Sequence, residues 1–120
     1  MKRLPLAAAV ALTLAVVPLA AARTAQPSRT QVTTVRVRAG EMFFRLSTKT
    51  LARPGRVTFV VTNTGRLKHD FRIDGKQTPL ISPGKTARLT VTFRKKGRYP
   101  YRCTVPGHAA AGMRGVFTVR

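Results

Sequence analysis

Apolar and polar side chains alternate along most of this chain after residue 31. Within residues 31–38, Val35 and Val37 lie on one side, and Arg36 and Arg38 lie on the other. The stretch 56–63 repeats this period, with Val57, Phe59 and Val61 on one side. Because successive side chains of a β-strand point to opposite faces, the period predicts strands that bury one face. No segment shows a convincing helical period.

The same alternation recurs further along the chain, in the ranges 42–46, 68–73, 85–94 and 99–103, and a last strand is predicted at 116–119. Turn pairs such as Pro54-Gly55 and Asp74-Gly75 separate these stretches. About seven or eight short strands, with a turn signal roughly every ten residues, are typical of two packed sheets. The pattern therefore predicts an all-β sandwich.

The first 22 residues are typical of a secretory leader. A basic start at 1–3 precedes an almost wholly apolar stretch at 4–19, and small residues follow at 20–22. We expect cleavage after Ala22, with Ala25 as a second candidate. The alternative is an uncleaved membrane anchor, since the apolar run is near the lower length limit for a bilayer span.

The sequence after the leader predicts one domain. The whole chain has 120 residues and contains no internal repeat. Residues 23–30 are polar and contain a proline, which predicts a flexible tether. The folded domain is expected at 31–120. The leader at 1–22 predicts that this domain is exported, to the periplasm, the cell surface or the medium.

The charge of the chain is strongly positive. There are 23 Lys and Arg against three acidic residues, a net charge of +20, and loss of the leader would leave +18. Such a field speeds association with acidic partners and makes it sensitive to salt. We therefore expect an acidic redox partner protein or an anionic surface. The alternative is that the charge has no specific partner and only keeps the surface of the sandwich solvated, because the basic residues occupy the outward-facing positions of the strands.

Other classes of partner are not expected. The chain has no nucleic-acid-binding motif, and its aromatic residues belong to strand interiors. Nucleic acid would therefore bind only non-specifically through charge. Membrane contact is expected only through an uncleaved leader or through electrostatics. We expect a monomer.

The single cysteine points to metal chemistry. Cys103 is the only cysteine, so it cannot form an internal disulfide. The alternative to metal ligation is a buried, inert thiol. His108 and Met113 follow it in the spacing Cys-x4-His-x4-Met. Upstream, His69 shares its parity with Phe71, so its imidazole is expected to face the interior.

These four side chains suit copper. Soft sulfur favours Cu(I), imidazole serves both oxidation states, and two His with one Cys and a weak axial Met form an electron-transfer copper site. The pattern predicts one copper ion held by His69, Cys103, His108 and Met113. Structural zinc is the alternative, but zinc takes Cys and His rather than Met.

The chain from about residue 42 to its end resembles the cupredoxins, the plastocyanin and azurin superfamily. The resemblance rests on V-T-F-V-V-T-N-T-G, K-H-D-F, S-P-G-K-T, G-R-Y-P-Y-R-C-T-V-P-G-H and G-M-R-G. The loop is similar in length to those of rusticyanin and the auracyanins. The resemblance implies a Greek-key β-sandwich and one-electron transfer at type 1 copper. It also implies that the ring edge of His108 emerges through an apolar patch and serves as the electron port.

One position departs from the family pattern. Many members have Asn after the first histidine, where it ties that strand to the residue after the cysteine. Here Asp70 follows His69, and Thr104 follows Cys103. Asp70 could link to Thr104 and stiffen the site. Alternatively, strict alternation would turn Asp70 toward water beside Arg72.

Two functions are compatible with such a site. The leading expectation is an exported electron carrier that cycles between Cu(I) and Cu(II). The alternative is a periplasmic or extracellular protein of copper storage, delivery or resistance. An enzyme is not expected, because four protein ligands leave no open position for a substrate.

Overall fold

Nine β-strands form two sheets in the computed structural model, which describes residues 1–22, 24 and 31–120. The strands are β1 (Val32–Gly40), β2 (Phe43–Leu46), β3 (Thr50–Leu51), β4 (Gly55–Asn63), β5 (Arg72–Ile73), β6 (Lys76–Gln77), β7 (Thr86–Phe93), β8 (Gly97–Arg102) and β9 (Arg114–Val119).

The strands are divided between a four-stranded and a five-stranded sheet. The first sheet has the order β2-β1-β4-β7, and the second has the order β3-β9-β8-β5-β6. Strand β1 runs parallel to β4, and β3 runs parallel to β9, while the other neighbours are antiparallel. The predicted all-β, Greek-key sandwich is confirmed. Strands β3, β5 and β6 have two residues each, too few to show an alternating pattern in the sequence.

An aromatic cluster fills the space between the sheets. Phe59 on β4 lies with its ring centroid 5.1 Å from that of Phe71 and 5.4 Å from that of Phe117. Phe93 on β7 packs 5.5 Å from Phe117. All four side chains are at most 1% exposed. Each such aromatic pair contributes about 0.5–1.5 kcal/mol beyond its buried area, so the cluster fixes how the sheets face each other.

Two connections carry the histidines and the cysteine to one end of the sandwich. The chain after β4 reaches His69, whose backbone amide and carbonyl bond to those of Ile81 at 3.2 and 2.7 Å. The second connection runs from the end of β8 to the start of β9 and contains Cys103, His108 and Met113. Met42, which the alternation placed in a strand, lies instead in the turn between β1 and β2 and is partly buried against the core.

The predicted leader contributes no residue to these strands. Residues 1–22 contain no helix or strand, and in the described part of the chain no helix is long and apolar enough to cross a membrane. The tether predicted at 23–30 lies outside the described residues, except for Thr24. Cleavage of the leader stays a prediction.

Candidate metal centre

Three of the four predicted ligands bring their donor atoms to one point. One ligand atom from each of His69, Cys103 and His108 lies within 4.8 Å of the other two. The two Nδ1 atoms of the histidines are 3.1 Å apart. The sulfur of Cys103 lies 3.7 Å from Nδ1 of His108. The atoms converge although His69 is 39 residues from His108 in the sequence.

The three side chains are shielded from water to different degrees. His69 is fully buried and Cys103 is 1% exposed, whereas His108 keeps 9% exposure. Pro106, Ala110 and Ala111 are exposed on the same loop, so the His108 side of the site is accessible through apolar side chains. Burial raises the pKa of the Cys103 thiol, against the opposing effect of backbone hydrogen bonds at Asp70 and Val105. A bound cation is therefore needed to favour the thiolate.

Met113 is tied to the other loop residues through the backbone. Its amide donates to the carbonyl of His108 at 3.1 Å, and its carbonyl accepts from the amide of Cys103 at 3.0 Å. The His108 amide in turn donates to the carbonyl of Val105 at 3.1 Å. The Met113 side chain is fully buried. These bonds fold the loop so that the backbones of Cys103 and Met113 lie side by side.

Gly112 allows this loop to close. Its φ of +130° lies in a region that favours glycine, and a Cβ at this position would be 2.8 Å from the carbonyl oxygen of Met42. The turn between β1 and β2 therefore presses directly against the residue before Met113. Glycine is needed at position 112 because the backbone of Met42 packs closely against it, and not because the loop must be flexible.

Asp70 links the two connections that carry the histidines and the cysteine. Its Oδ1 accepts from the backbone amide of Thr104 at 2.6 Å, and its Oδ2 accepts from the Thr104 hydroxyl. Gln77 Nε2 donates to the same Oδ2 at 3.0 Å. Asp70 is 2% exposed, so the interpretation that it faces water beside Arg72 is wrong. Regular pairing in β5 begins only at Arg72, which leaves Asp70 free to break the alternation.

We expect Asp70→Asn to destabilise the metal-free domain by about 1–3 kcal/mol. The substitution removes a buried charged acceptor of three hydrogen bonds, and such bonds are stronger than neutral ones. Urea denaturation of the metal-free chain measures the loss. Asp74→Asn is the matched control, because it removes the same charge from an exposed turn. Equal stability of the two variants would contradict the structural role of Asp70.

Glu41 contacts the site, although no local pattern in the sequence connects it with the predicted ligands. Its Oε1 lies 3.3 Å from Nε2 of His69, the ring nitrogen opposite the one that faces His108. The same oxygen accepts from the backbone amides of Arg66 and Leu67, both at 2.7 Å. The amide of Leu67 is the largest cause that lowers the pKa of Glu41, to about 2. The carboxylate thus fixes both the loop before His69 and the orientation of its ring.

Gly65 and Asn63 shape the loop that contacts this carboxylate. A Cβ on Gly65 would overlap the Glu41 carboxylate, so only glycine allows the approach. Asn63 holds the same loop in place: its Nδ2 donates to the carbonyls of Leu67 and Ile81 at 2.7 and 2.8 Å. Its Oδ1 accepts from the Gly65 amide at 2.9 Å. The one sequence signal for Glu41 is the scarcity of acids, since the chain has only three.

The donor set fits copper. A thiol and two imidazoles converge in a buried site, and a thioether lies on the same loop. Thiolate and thioether are soft ligands that favour Cu(I), and imidazole suits copper in both oxidation states. Nε2 of His69 meets a carboxylate, as the second nitrogen of a metal-bound histidine commonly does. The arrangement accommodates one ion.

Comparison with known proteins agrees with this donor set. The sequence model of one family, described as copper binding proteins of the plastocyanin/azurin family, matches residues 31–120. Among curated proteins, the chain is similar to the copper-resistant cuproprotein CopI of three bacteria. It is 44% identical to the Pseudomonas aeruginosa protein over 54 residues, which cover 45% of this chain and 28% of that protein.

The other two relatives match over longer segments. Identity to the Vibrio cholerae protein is 33% over 78 residues, covering 48% of this chain and 46% of the relative. Identity to the Rubrivivax gelatinosus protein is 28% over 120 aligned positions, covering 82% and 72%. The chain thus spans less than half the length of the first two relatives.

Solved structures with the same fold include two auracyanins. Reduced auracyanin from Roseiflexus castenholzii superposes with a TM-score of 0.64 at 24% identity, over 73% of this chain and 97% of that one. Auracyanin A from Chloroflexus aurantiacus, titled a blue copper protein, gives 0.63 at 20% identity, over 75% and 100%. At these identities the likeness establishes the fold.

Proposed function

This chain belongs to the plastocyanin/azurin family of copper-binding proteins, the cupredoxins, and from that membership we propose that it binds copper outside the cytoplasm as part of copper resistance. The observation that carries the proposal is the buried convergence of His69, Cys103 and His108. Its similarity to three proteins named for copper resistance supports resistance over other uses of the metal.

The proposed ligands are Nδ1 of His69, the sulfur of Cys103, Nδ1 of His108 and the thioether of Met113. Bound copper supplies a one-electron couple between Cu(I) and Cu(II). The chain contributes a site that is already folded, because backbone hydrogen bonds fix the loop and Asp70 ties it to the strand carrying His69. Burial of His69 and Cys103 limits water at the donors, which favours retention of the metal.

A second function is supported by a separate observation. His108 keeps 9% exposure while His69 and Cys103 are at most 1% exposed, so His108 is the most accessible of the three converging ligands, and exposed alanines follow it on the same loop. A rigid site with one accessible ligand suits the exchange of single electrons. An electron carrier is therefore the second candidate. Neither function is enzymatic in this proposal, because four protein ligands leave no position for a substrate.

Deletion of the gene from its host distinguishes the two functions. If the chain serves resistance, deletion lowers the copper concentration that the cells tolerate, and the wild-type gene restores it. A His69→Ala gene, which lacks one proposed ligand, should not restore tolerance. Unchanged tolerance together with impaired electron transport would favour the carrier and contradict resistance. An exported location, supported by the leader predicted at 1–22, is checked by fractionating the same cells.

We expect Met113→Leu to keep copper bound but to raise the reduction potential. Leucine has similar volume but no sulfur, and loss of the thioether favours Cu(I). A tenfold change in the ratio of Cu(I) to Cu(II) affinity corresponds to about 59 mV. Voltammetry of the copper-loaded chain measures the shift. Met42→Leu is the control, because this methionine lies in the turn between β1 and β2. Equal potentials in both variants would argue against Met113 as a ligand.

A further inference from the structure

Three arginines face one another across neighbouring strands of the five-stranded sheet. Arg72 on β5 is the register partner of Arg102 on β8, and Arg102 is the partner of Arg114 on β9. Their sequence neighbours Ile73, Cys103 and Met113 are buried, so the arginine side chains point outward. The sheet thus presents a row of three guanidinium groups on one outer surface.

Such a row is unfavourable by itself. Like charges placed directly opposite on adjacent strands destabilise a sheet. Among the strand pairs of the described residues, one other register position places two arginines opposite each other, Arg38 and Arg45. The partner of Arg38 on the next strand is Thr62, so that row holds two arginines and not three. Elsewhere on the outer face of the four-stranded sheet, Arg36 and Arg88 are separated by Val60. The row of three is therefore a local concentration of charge beyond the general basicity of the surface.

A cleft runs along this row. It has a volume of about 720 Å³, and its lining includes all three arginines together with Pro100, Ala109 and Val116. Arg72 donates from Nη1 to Oε1 of Gln77 at 3.2 Å, which holds one guanidinium at the side of the cleft. A single acid, Asp74, lies among the lining residues in an exposed turn. The cleft is thus positive, with apolar patches between the charges.

The cleft adjoins the metal centre through the backbone. Arg102 immediately precedes Cys103, Arg114 immediately follows Met113, and Ala109 immediately follows His108. A molecule held in the cleft would therefore touch the residues next to three of the four proposed ligands.

We propose that this arginine cleft (Arg72, Arg102 and Arg114 with Pro100, Ala109 and Val116) docks an acidic segment of a partner protein. The proposal rests on the proposed function, because a protein that passes on copper or electrons needs a partner. The chemistry of that partner follows from the positive charge of the chain, which favours acidic partners. Guanidinium groups pair with carboxylates through two parallel hydrogen bonds. The apolar patches fit hydrophobic side chains interspersed among the acidic ones. Docking here would place the partner beside the copper site.

The shape of the site favours a polypeptide over a lipid surface. A flat anionic membrane reaches protruding basic side chains on either sheet, whereas a cleft with apolar patches requires a segment that enters it. In an extended peptide, carboxylates at every second position share one face, and that face complements the row of three guanidinium groups. Where the segment departs from strict alternation, apolar side chains on the same face can contact the apolar patches of the cleft.

The test is binding of a fluorescently labelled peptide of sequence Glu-Leu-Glu-Leu-Glu-Leu to the full chain at low salt. The cleft variant changes Arg72, Arg102 and Arg114 to Gln. The matched control changes Arg36, Arg38 and Arg88 to Gln, which removes equal charge from the outer face of the other sheet. We expect the cleft variant to bind the peptide about tenfold more weakly. It loses three exposed ion pairs of about 0.5 kcal/mol each, and about 1.4 kcal/mol corresponds to a tenfold change in affinity. The control should lose about twofold or less.

Three outcomes overturn the docking proposal. Equal loss in the two variants would show that net charge alone attracts the peptide. Amide chemical shifts of residues 101–102 and 114–116 that do not move on peptide addition would place binding elsewhere. Binding to vesicles containing phosphatidylglycerol that depends on the cleft, with no peptide binding, would assign the surface to lipid. Copper loading of both variants is measured in parallel, so failure of docking is distinguished from failure of the copper site.

Discussion

Cys103→Ser is expected to abolish the intense visible absorption of the copper(II)-loaded chain and to weaken copper binding strongly. The thiolate is the soft ligand in the proposed set, and a serine hydroxyl at neutral pH neither ionises readily nor offers soft sulfur. Since this is the chain's only cysteine, no other thiolate can replace it. The measurement is a visible spectrum on stepwise addition of copper, with affinity from competition against a chelator.

A control is needed because Cys103 is buried and serine introduces a hydroxyl there. The metal-free variant should keep the wild-type dispersion of its amide NMR spectrum, which shows that the sandwich still forms. Wild-type absorption in a folded Cys103→Ser chain would refute the assignment of the thiolate.

Glu41→Gln is expected to lower the affinity for Cu(II) about 10- to 100-fold, the range typical when a residue that orients a metal-bound histidine is changed. The carboxylate contacts Nε2 of His69 and so increases the electron donation of the ring through Nδ1. Glutamine keeps the size that fits against Gly65 but lacks the charge. The loss should be smaller for Cu(I), so the potential should rise together with the fall in Cu(II) affinity.

The matched control for Glu41→Gln is Asp74→Asn, which removes one negative charge at an exposed turn. Copper competition and voltammetry are run on both variants. If Asp74→Asn shifts Cu(II) affinity and potential by the same amounts, the effect reflects net charge, and the specific contact between Glu41 and His69 has no functional weight.

Local patterns in the sequence predicted most of the fold. The alternation in β1, β4 and β7 is unambiguous because each of these strands has eight or nine residues and buries one face. The ligand loop was equally readable, since three chemically distinctive residues lie within eleven positions of each other. His69 was found because its parity matched that of Phe71, and the structure buries both.

The contacts that sequence reasoning missed are long-range or irregular. Glu41 meets His69 across 28 positions, and no local period connects the two. Asp70 stayed ambiguous because it lies between an isolated bridge at His69 and the start of β5 at Arg72, where the pairing is irregular and alternation does not fix the direction of a side chain. Both contacts depend on how loops fold at one end of the sandwich. Two of the chain's three acids thus hold the proposed copper site, in a protein of net charge +20.

X-ray absorption at the copper edge of the full chain, loaded with one equivalent of copper, tests the proposed coordination most directly. The four-ligand site predicts saturation at one ion per chain, with two imidazole nitrogens and one short copper–sulfur distance that disappears in Cys103→Ser. A first shell of nitrogen and oxygen alone, with no sulfur in the wild-type chain, would contradict it.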